Sequence, residues 1–171
     1  MTEGIKIMEK PVISVITPVF NEEECLPAFY ERVVPIMEKI GLPFEIIAVD
    51  DGSRDKSLEI ISEHCKKDKR LKCVSFSRNF GQQAAFFCGL ENCSGDAAIL
   101  IDADLQDPPE IFPEMIAKWR EGYDVVHGVR RVRKKESLFK KASSAMWINL
   151  TSTFLKTWAN SNFTAERLST R

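Results

Sequence analysis

An apolar run ends abruptly in acids, an amide and prolines in the stretch Ile99-Leu100-Ile101-Asp102-Ala103-Asp104-Leu105-Gln106-Asp107-Pro108-Pro109-Glu110. The apolar part predicts a buried strand. Asp102 and Asp104 would project from its end in the same direction, because side chains alternate along extended backbone. Neighbouring carboxylates raise each other's proton affinity, and a bound Mg²⁺ or Mn²⁺ would remove that conflict. An ordinary turn after a strand is the alternative, since Asp and Pro are common turn residues.

Five apolar runs of strand length lie along the chain, at residues 12–17, 44–49, 71–76, 97–101 and 123–129. Several carry β-branched residues at consecutive positions, as expected of strands that are covered on both faces. Segments with helical spacing separate them, at residues 22–40, 54–67, 82–92 and 109–120. This alternation predicts an α/β domain with a Rossmann-like, mostly parallel sheet and helices on both faces. Ligands of such sheets bind beyond the carboxyl ends of the strands.

The composition fits one domain with a substantial core, since 44% of the 171 residues are hydrophobic. The net charge of −1 gives the chain no polyanion-binding character, so nucleic acid is not an expected partner. Five cysteines without a Cys-x-x-Cys pair indicate reduced thiols in a cytosolic protein, and no zinc-ligand spacing is found. Neither a signal-peptide core nor an apolar run of about 18 residues is found, so no leader or spanning helix is expected.

Polar groups also follow the first two strands. Asn21 is a good N-cap for the next helix, with Glu24 at the N3 position of a capping box, and the alternative is a wall of a nucleotide pocket. Asp50 and Asp51 are consecutive acids directly after the second strand, and Ser53 can cap the helix that follows. A carboxylate at this position can accept hydrogen bonds from a nucleotide base or ribose, whereas helix capping explains Asp50 poorly.

A basic segment, residues 130–135, follows the fifth predicted strand. Its arginines and lysines can bind a phosphate of an acceptor or leaving group if they lie beside a diphosphate site. A solvated loop is the alternative, because charge runs are common in exposed loops.

Four segments at the strand ends stand in order along the chain: Pro18-Val19-Phe20-Asn21-Glu22, Val49-Asp50-Asp51-Gly52-Ser53-Arg54-Asp55, Ser77-Arg78-Asn79-Phe80-Gly81 and the acidic stretch Asp102-Ala103-Asp104-Leu105-Gln106-Asp107-Pro108-Pro109-Glu110. Together they resemble family 2 glycosyltransferases of the GT-A fold. The likeness is greatest to the polyprenyl-phosphate glycosyltransferases, which include dolichol-phosphate mannose synthases and bactoprenol glucosyltransferases. The resemblance covers about residues 11–141.

The resemblance implies roles for the acidic residues. Asp102 and Asp104 correspond to the family's metal and diphosphate motif, with Gln106 as a further metal ligand. Asp50 or Asp51 corresponds to the acid that holds the nucleotide base. Substrate binding is thus expected of Asp50, Asp51, Asp102 and Gln106, whereas Asp104 is assigned a catalytic role besides metal binding.

The resemblance also implies roles for residues at two other strand ends. The first wall of the donor pocket corresponds to Pro18, Phe20, Asn21 and Glu22. Arg130 and Arg133 stand where the lipid-phosphate branch places cations for the acceptor phosphate, and they are assigned catalytic roles.

The implied reaction is an inverting, metal-dependent transfer of a hexose from UDP-glucose or GDP-mannose to polyprenyl phosphate, at the cytoplasmic face of a membrane. A phosphate acceptor is largely ionised at neutral pH and needs no general base. No base candidate is evident in the C-terminal part of the chain, which favours such an acceptor. Two alternatives stay open: a saccharide hydroxyl as acceptor in glycan or cell-wall synthesis, and a truncated domain that binds nucleotide sugar without turnover.

The predicted organisation is a catalytic domain over residues 1–141, followed by a C-terminal helix and polar tail over residues 142–171. Relatives usually continue further, so the chain is expected to be truncated relative to the family. An apolar stripe at helical spacing within residues 137–158 favours a core-facing helix, with a membrane-surface helix as the alternative. The polar residues 159–171 are compatible with disorder.

Overall fold

Strands and helices alternate in the computed structural model, which describes residues 12–128 and 163–166. The elements are β1 (Ile13–Val19), α1 (Leu26–Ile40), β2 (Phe44–Asp50), α2 (Ser57–Lys67), β3 (Leu71–Ser75), α3 (Gln82–Asn92), β4 (Ala97–Leu100), a 3-10 turn (Pro109–Ile111), α4 (Phe112–Arg120), β5 (Val125–Gly128) and β6 (Phe163–Glu166). The strands and helices predicted within the described residues are present, with ends shifted by a few residues.

The first four strands form one parallel sheet in the order β3-β2-β1-β4. All residues of β2 are buried, and in β1 Pro18 alone is half-buried, as expected of central strands. Ile13 of β1 aligns with Phe44 of β2 on one side and with Ala97 of β4 on the other. The prediction of a mostly parallel α/β sheet is therefore confirmed.

Helices cover this sheet through apolar stripes. The α1 helix buries Leu26, Phe29, Val33 and Met37, whose spacing places them on one face. The α3 helix packs against Ile16, Ile47 and Val49 through Ala85. Close approach of α3 requires Gly89, because a Cβ at this position would overlap the side chain of Ile16.

The chain divides into two compact units, residues 1–112 and 113–171. In the second unit β5 pairs antiparallel with β6, with Val125 opposite Glu166. The fifth predicted strand is thus outside the parallel sheet, and the polar tail contributes a strand at residues 163–166 instead of remaining without structure. Backbone pairing does not require an apolar segment, so a polar tail can supply an edge strand. The predicted boundary at residue 141 and the predicted helix over residues 137–158 lie outside the described residues.

Candidate active site

A cavity of about 320 Å³ lies beside the carboxyl ends of β1 and β4. In the sheet, β2 and β3 follow on one side of β1, and β4 pairs with β1 on its other side. A parallel sheet leaves a crevice for ligands at such a reversal of strand order. The lining residues are Pro18, Val19, Phe20, Glu22, Asp51, Asn79, Gln82, Asp102, Ala103 and Asp104.

The lining of this pocket is acidic. Four carboxylates line it, and the described residues contribute no Lys or Arg side chain to the lining. An anionic ligand such as a diphosphate would be repelled by this arrangement, because like charges at short range are destabilising in a partly desolvated site. A cation from solution, or basic side chains from outside the described residues, would have to accompany it.

Asp102 and Asp104 both line the pocket, as predicted, but for a different geometric reason. The strand β4 ends at Leu100, so neither acid continues an extended strand. Leu105 has φ 55°, and the carboxylate of Asp104 accepts a hydrogen bond from the Gln106 N–H at 3.0 Å. A tight turn therefore carries Asp104. The expectation that strand alternation aims the two carboxylates was wrong, although both reach the same pocket.

The electrostatics of Asp102 reflect its surroundings. Burial raises the pKa of Asp102 above its ordinary value, and the negative charges of Asp104 and Asp107 raise it further. A hydrogen bond from the Gln82 amide to Asp102 Oδ1, at 2.6 Å, acts in the opposite direction. The ionised form of Asp102 is thus disfavoured by the protein alone, and a neighbouring positive charge would favour it.

This donor set fits a Mg²⁺ or Mn²⁺ ion that is completed by a substrate. Within the described residues, no group of three or more His, Cys, Asp and Glu side chains is arranged to hold a metal by itself. Mg²⁺ in proteins is commonly held by one or two carboxylates together with substrate phosphates. Asp102 and Asp104 supply two oxygen-donor groups at one pocket, and the raised pKa of Asp102 marks a charge that lacks compensation.

The consecutive acids after β2 have different surroundings. Asp50 is buried, and its carboxylate accepts hydrogen bonds from the Ser53 N–H at 3.2 Å and the Ser75 hydroxyl at 3.0 Å. Asp51 lines the pocket, and its two oxygens accept the N–H groups of Phe80 and Gly81 at 2.6 and 2.9 Å. Of the two candidates for holding the base, Asp51 is therefore the one at the pocket.

Five hydrogen bonds join the loop after β1 to the loop after β2: from Asn21 N–H to Ser53 Oγ, Glu22 N–H to Ser57 Oγ, Glu23 N–H to Asp55 Oδ2, Arg54 N–H to Asn21 Oδ1 and Lys56 N–H to Glu23 Oε2. We call this set the loop clasp. It holds the segment that carries Phe20 and Glu22 against the turn that follows Asp51.

The loop clasp overturns two local predictions. The α1 helix begins at Leu26 with Cys25 at its N-cap, so Asn21 and Glu24 form no capping box. The α2 helix begins at Ser57, so Ser53 is not its N-cap. Asn21, at φ 56°, and Ser53 instead direct their side-chain oxygens to each other's loops. Each side-chain oxygen accepts a hydrogen bond from a backbone N–H of the opposite loop. In a local N-cap it would instead accept one from the first turn of its own helix.

The remaining predicted site residues divide into three groups. Pro18, Phe20 and Glu22 line the pocket, and their donor-wall role stays a prediction. Asn21 acts in the loop clasp, and neither Asn21 nor Gln106 is among the lining residues. Arg130 and Arg133 lie outside the described residues, so their predicted phosphate-binding role stays a prediction.

Four lining residues were not singled out from the sequence: Val19, Asn79, Gln82 and Ala103. Asn79 and Gln82 stand directly after β3, at the same end of the sheet as the predicted residues. Their position as polar residues beyond a parallel strand was the available signal.

The acidic stretch ends in a structural contact. The guanidinium of Arg32 on α1 donates to both carboxylate oxygens of Glu110, at 2.8 and 2.9 Å. A bidentate pair of this kind fixes orientation as well as distance. The stretch therefore divides into a pocket part at Asp102 and Asp104 and an anchoring part at Glu110.

A parallel sheet with an acidic pocket at its point of strand reversal defines an α/β protein of the nucleotide-binding class. The model of Glycosyl transferase family 2 matches residues 14–169, and the chain belongs to this family. No described helix is long and apolar enough to span a membrane.

Curated relatives share substantial identity with the chain. It is 48% identical over 139 residues to the uncharacterized glycosyltransferase YkcC of Bacillus subtilis, covering 81% of this chain and 43% of that protein. It is 45% identical over 133 residues to an undecaprenyl-phosphate 4-deoxy-4-formamido-L-arabinose transferase of Pectobacterium atrosepticum, covering 77% and 40%. Identity to the bactoprenol glucosyl transferase of Shigella phage SfV is 41% over 138 residues, covering 81% and 45%. The chain thus spans less than half the length of each.

Solved structures give the same fold. Residues 1–349 of S. aureus TarS, in complex with UDP-GlcNAc, match with a TM-score of 0.54 and 26% identity, covering 75% of this chain and 38% of that one. Glucosyl-3-phosphoglycerate synthase of Mycobacterium tuberculosis, in complex with UDP, matches with a TM-score of 0.60 and 23% identity, covering 92% and 57%. The expected GT-A fold of the α/β class is thereby confirmed.

Proposed function

We propose that this chain carries the donor-binding part of an inverting, metal-dependent glycosyltransferase that moves a hexose from a nucleoside diphosphate sugar to polyprenyl phosphate. The observation that carries the proposal is the meeting of Asp102 and Asp104 with Asp51 and the donor-wall residues Phe20 and Glu22 in one pocket. Relatives named as undecaprenyl-phosphate and bactoprenol sugar transferases support the acceptor class. The likeness to TarS with bound UDP-GlcNAc supports the donor class.

In this proposal Asp102 and Asp104 would hold a Mg²⁺ or Mn²⁺ ion, and Gln106, which is outside the pocket lining, stays the predicted further ligand. The chemistry that such an ion supplies when bound is neutralisation of the charge that develops on the leaving nucleoside diphosphate. Asp51 accepts a hydrogen bond from the base, and Pro18, Phe20 and Glu22 form the facing wall, which Asn21 supports through the loop clasp. The loop clasp keeps that wall in place.

The transfer itself is a single displacement. A phosphate oxygen of the acceptor attacks the anomeric carbon from the face opposite the diphosphate. The bond from that carbon to the diphosphate oxygen breaks, and its electron pair leaves with the nucleoside diphosphate. The acceptor phosphate is already largely ionised at neutral pH, with a second pKa near about 6, so no general base is required. Arg130 and Arg133 are the proposed cations for that phosphate, at the membrane surface where a polyprenyl chain resides.

Calorimetric titration of UDP-glucose and GDP-mannose into the folded protein, with Mn²⁺ and then with EDTA, tests the donor site. We expect Mn²⁺-dependent binding of one donor, and a loss of at least about 100-fold in affinity for Asp104→Asn, because one of two charged metal ligands is removed. Asp107→Asn is the matched control, since it removes the same charge from the same loop outside the pocket lining, and it should not weaken binding because the charge of Asp107 disfavours ionised Asp102. Absence of binding to a folded wild-type sample, or equal loss in both variants, would overturn the assignment.

Acceptor screening separates this function from a transferase that acts on a saccharide hydroxyl. Release of nucleoside diphosphate should depend on polyprenyl phosphate in detergent micelles, and saccharide acceptors should not replace it. Donor binding without release under either condition would instead support a domain that binds nucleotide sugar without turnover.

A further inference from the structure

Gln82 contacts one of the proposed metal ligands from a different element of the fold. It is the first residue of α3 and lines the pocket. Its side-chain Nε2 donates a hydrogen bond to Asp102 Oδ1 at 2.6 Å, across 20 residues of sequence. A short hydrogen bond from a neutral amide to a carboxylate orients that carboxylate without neutralising its charge.

The backbone that presents Gln82 is held firmly. Phe80 and Gly81, the two residues just before Gln82, donate their N–H groups to the Asp51 carboxylate at 2.6 and 2.9 Å. Gly81 has φ 97°, a conformation that directs the chain into α3 and that favours glycine. The same loop packs against the backbone at Gly52, where a Cβ would lie 2.5 Å from the Arg78 carbonyl carbon.

The surroundings of Asp102 disfavour its charge at the pocket. Asp104 and Asp107 carry like charges nearby, and the carboxylate is partly desolvated. Rotation of the side chain toward bulk solvent would relieve both costs. The Gln82 amide opposes that rotation by fixing one oxygen inside the pocket.

We propose that Gln82 is a positioning residue that sets the orientation of Asp102 for the metal ion, and that Asp51 serves this arrangement by anchoring residues 80 and 81. This inference rests on the proposed function. It gives Asp51 a second role beside base recognition, and it connects the end of β2 to the metal ligand after β4 through one loop.

Gln82→Ala and Gln82→Met test the proposal, with Gln83→Ala as the matched control. Gln82→Met keeps the side-chain length and loses the donor, while Gln83 is an exposed neighbour on the same helical turn that does not line the pocket. Binding of Mn²⁺ alone is measured by electron paramagnetic resonance. Removal of an outer-shell partner typically weakens metal affinity about 10- to 100-fold, and we expect that loss in both Gln82 variants and no loss in Gln83→Ala.

Two further readouts distinguish positioning from general damage or direct donor contact. Excess Mn²⁺ should restore donor affinity in the Gln82 variants, because metal occupancy is what they lack, and their thermal midpoints should equal that of the wild type. Equal Mn²⁺ affinity in wild type and Gln82→Met would overturn the inference, and so would a loss of donor affinity that saturating Mn²⁺ does not restore.

Failure of the inference is distinguishable from failure of the proposed function. A wild-type chain that binds Mn²⁺ but neither donor would overturn the proposed function, while the Mn²⁺ affinities of the Gln82 variants would still decide the role of this residue. A wild-type chain that binds a donor with Mn²⁺ and gives equal values for all variants would overturn the inference alone.

Discussion

At the amino end of the four-stranded sheet Glu45 is 3% exposed and ion-paired with Lys72, whereas at the carboxyl end Asp102 faces a pocket with like charges beside it. Glu45 Oε1 accepts the Ser14 hydroxyl and the Ser94 N–H, each at 2.6 Å. Its second oxygen pairs with Lys72 Nζ at 2.5 Å. Ser14 stands on β1 and Lys72 on β3, on either side of Glu45 on β2. The two neighbouring strands therefore supply the side chains that stabilise the charge of Glu45.

The pKa values of the two acids move in opposite directions. Burial raises the pKa of Glu45, but hydrogen bonds from Lys72, Ser14 and the Ser94 N–H outweigh burial, and the pKa lies below its ordinary value. Burial also raises the pKa of Asp102, and there the neighbouring carboxylates add to it. The comparison separates two kinds of acid: the described residues compensate the charge of Glu45, whereas those around Asp102 disfavour its charge.

The largest loss of stability is expected at Gly52, where the backbone after β2 packs closely against the backbone of the loop after β3. Gly52→Ala places a Cβ 2.5 Å from the Arg78 carbonyl carbon at a residue with φ 70°. We expect a loss of about 4 kcal/mol in the free energy of unfolding, from backbone strain and overlap together, and loss of donor binding because residues 78–82 must move. Urea denaturation and donor calorimetry measure the two effects.

Gly41→Ala provides the control for this variant. Gly41 has φ 74°, nearly the same conformation, but nothing lies within 4 Å of a Cβ there. This variant should lose only about 1 kcal/mol and keep the donor site intact. Equal losses in the two variants would show that conformation alone, and not contact with the loop, makes Gly52 important.

The next effect tests whether the amino-end cluster is purely structural. Glu45→Leu leaves the Ser14 hydroxyl and the Ser94 N–H without their acceptor and Lys72 without its partner. We expect a loss of about 3 kcal/mol in the free energy of unfolding, and a smaller loss of about 1 kcal/mol for Glu45→Gln, which retains an acceptor oxygen. Mn²⁺-dependent donor affinity of the folded fraction should not change. A change in that affinity would break the distinction between the two ends.

The same two ends show what sequence patterns can predict. The helix expected over residues 82–92 is observed at Gln82–Asn92. The buried strands were recognisable because strands that are covered on both faces have runs of consecutive β-branched residues. Asn21 and Ser53 were misjudged because both are good local N-caps, while their partners in the folded chain lie 32 or 33 residues away. Local patterns contain no information on such cross-loop donors.

The site shows a similar division. Asp102 and Asp104 were predicted to share a site because two neighbouring carboxylates repel each other unless a cation lies between them, and both line the pocket. Gln82 was missed because a glutamine at a helix start is ordinary by itself. The proposed role of Gln82 rests on the contact between its amide and Asp102 at 2.6 Å. This contact depends on the packing of α3 beside β1.

A smaller effect is expected in the pH dependence of stability. Since the pKa of Glu45 is lower in the folded chain than its ordinary 4.5, the unfolded chain binds more protons between the two values. The stabilisation from ionised Glu45 is therefore complete above the unfolded pKa and lost as pH falls through the folded pKa. The stability difference between wild type and Glu45→Gln should therefore shrink as the pH falls from neutral through 4.5 and below. A difference that is independent of pH would contradict the assigned direction.

The smallest effect has the opposite sign, and it tests the carboxyl end directly. Asp102→Asn removes a charge that burial and two neighbouring carboxylates disfavour, while its amide oxygen can still accept the Gln82 hydrogen bond. We expect a gain of up to about 1 kcal/mol in the free energy of unfolding at neutral pH without metal, together with loss of Mn²⁺-dependent donor binding. Asp68→Asn is the control, because Arg70 lowers the pKa of Asp68 through hydrogen bonds and its neutralisation should destabilise the chain. Destabilisation by Asp102→Asn as well would mean that the protein alone compensates Asp102, and the charge at the pocket would then need no ligand.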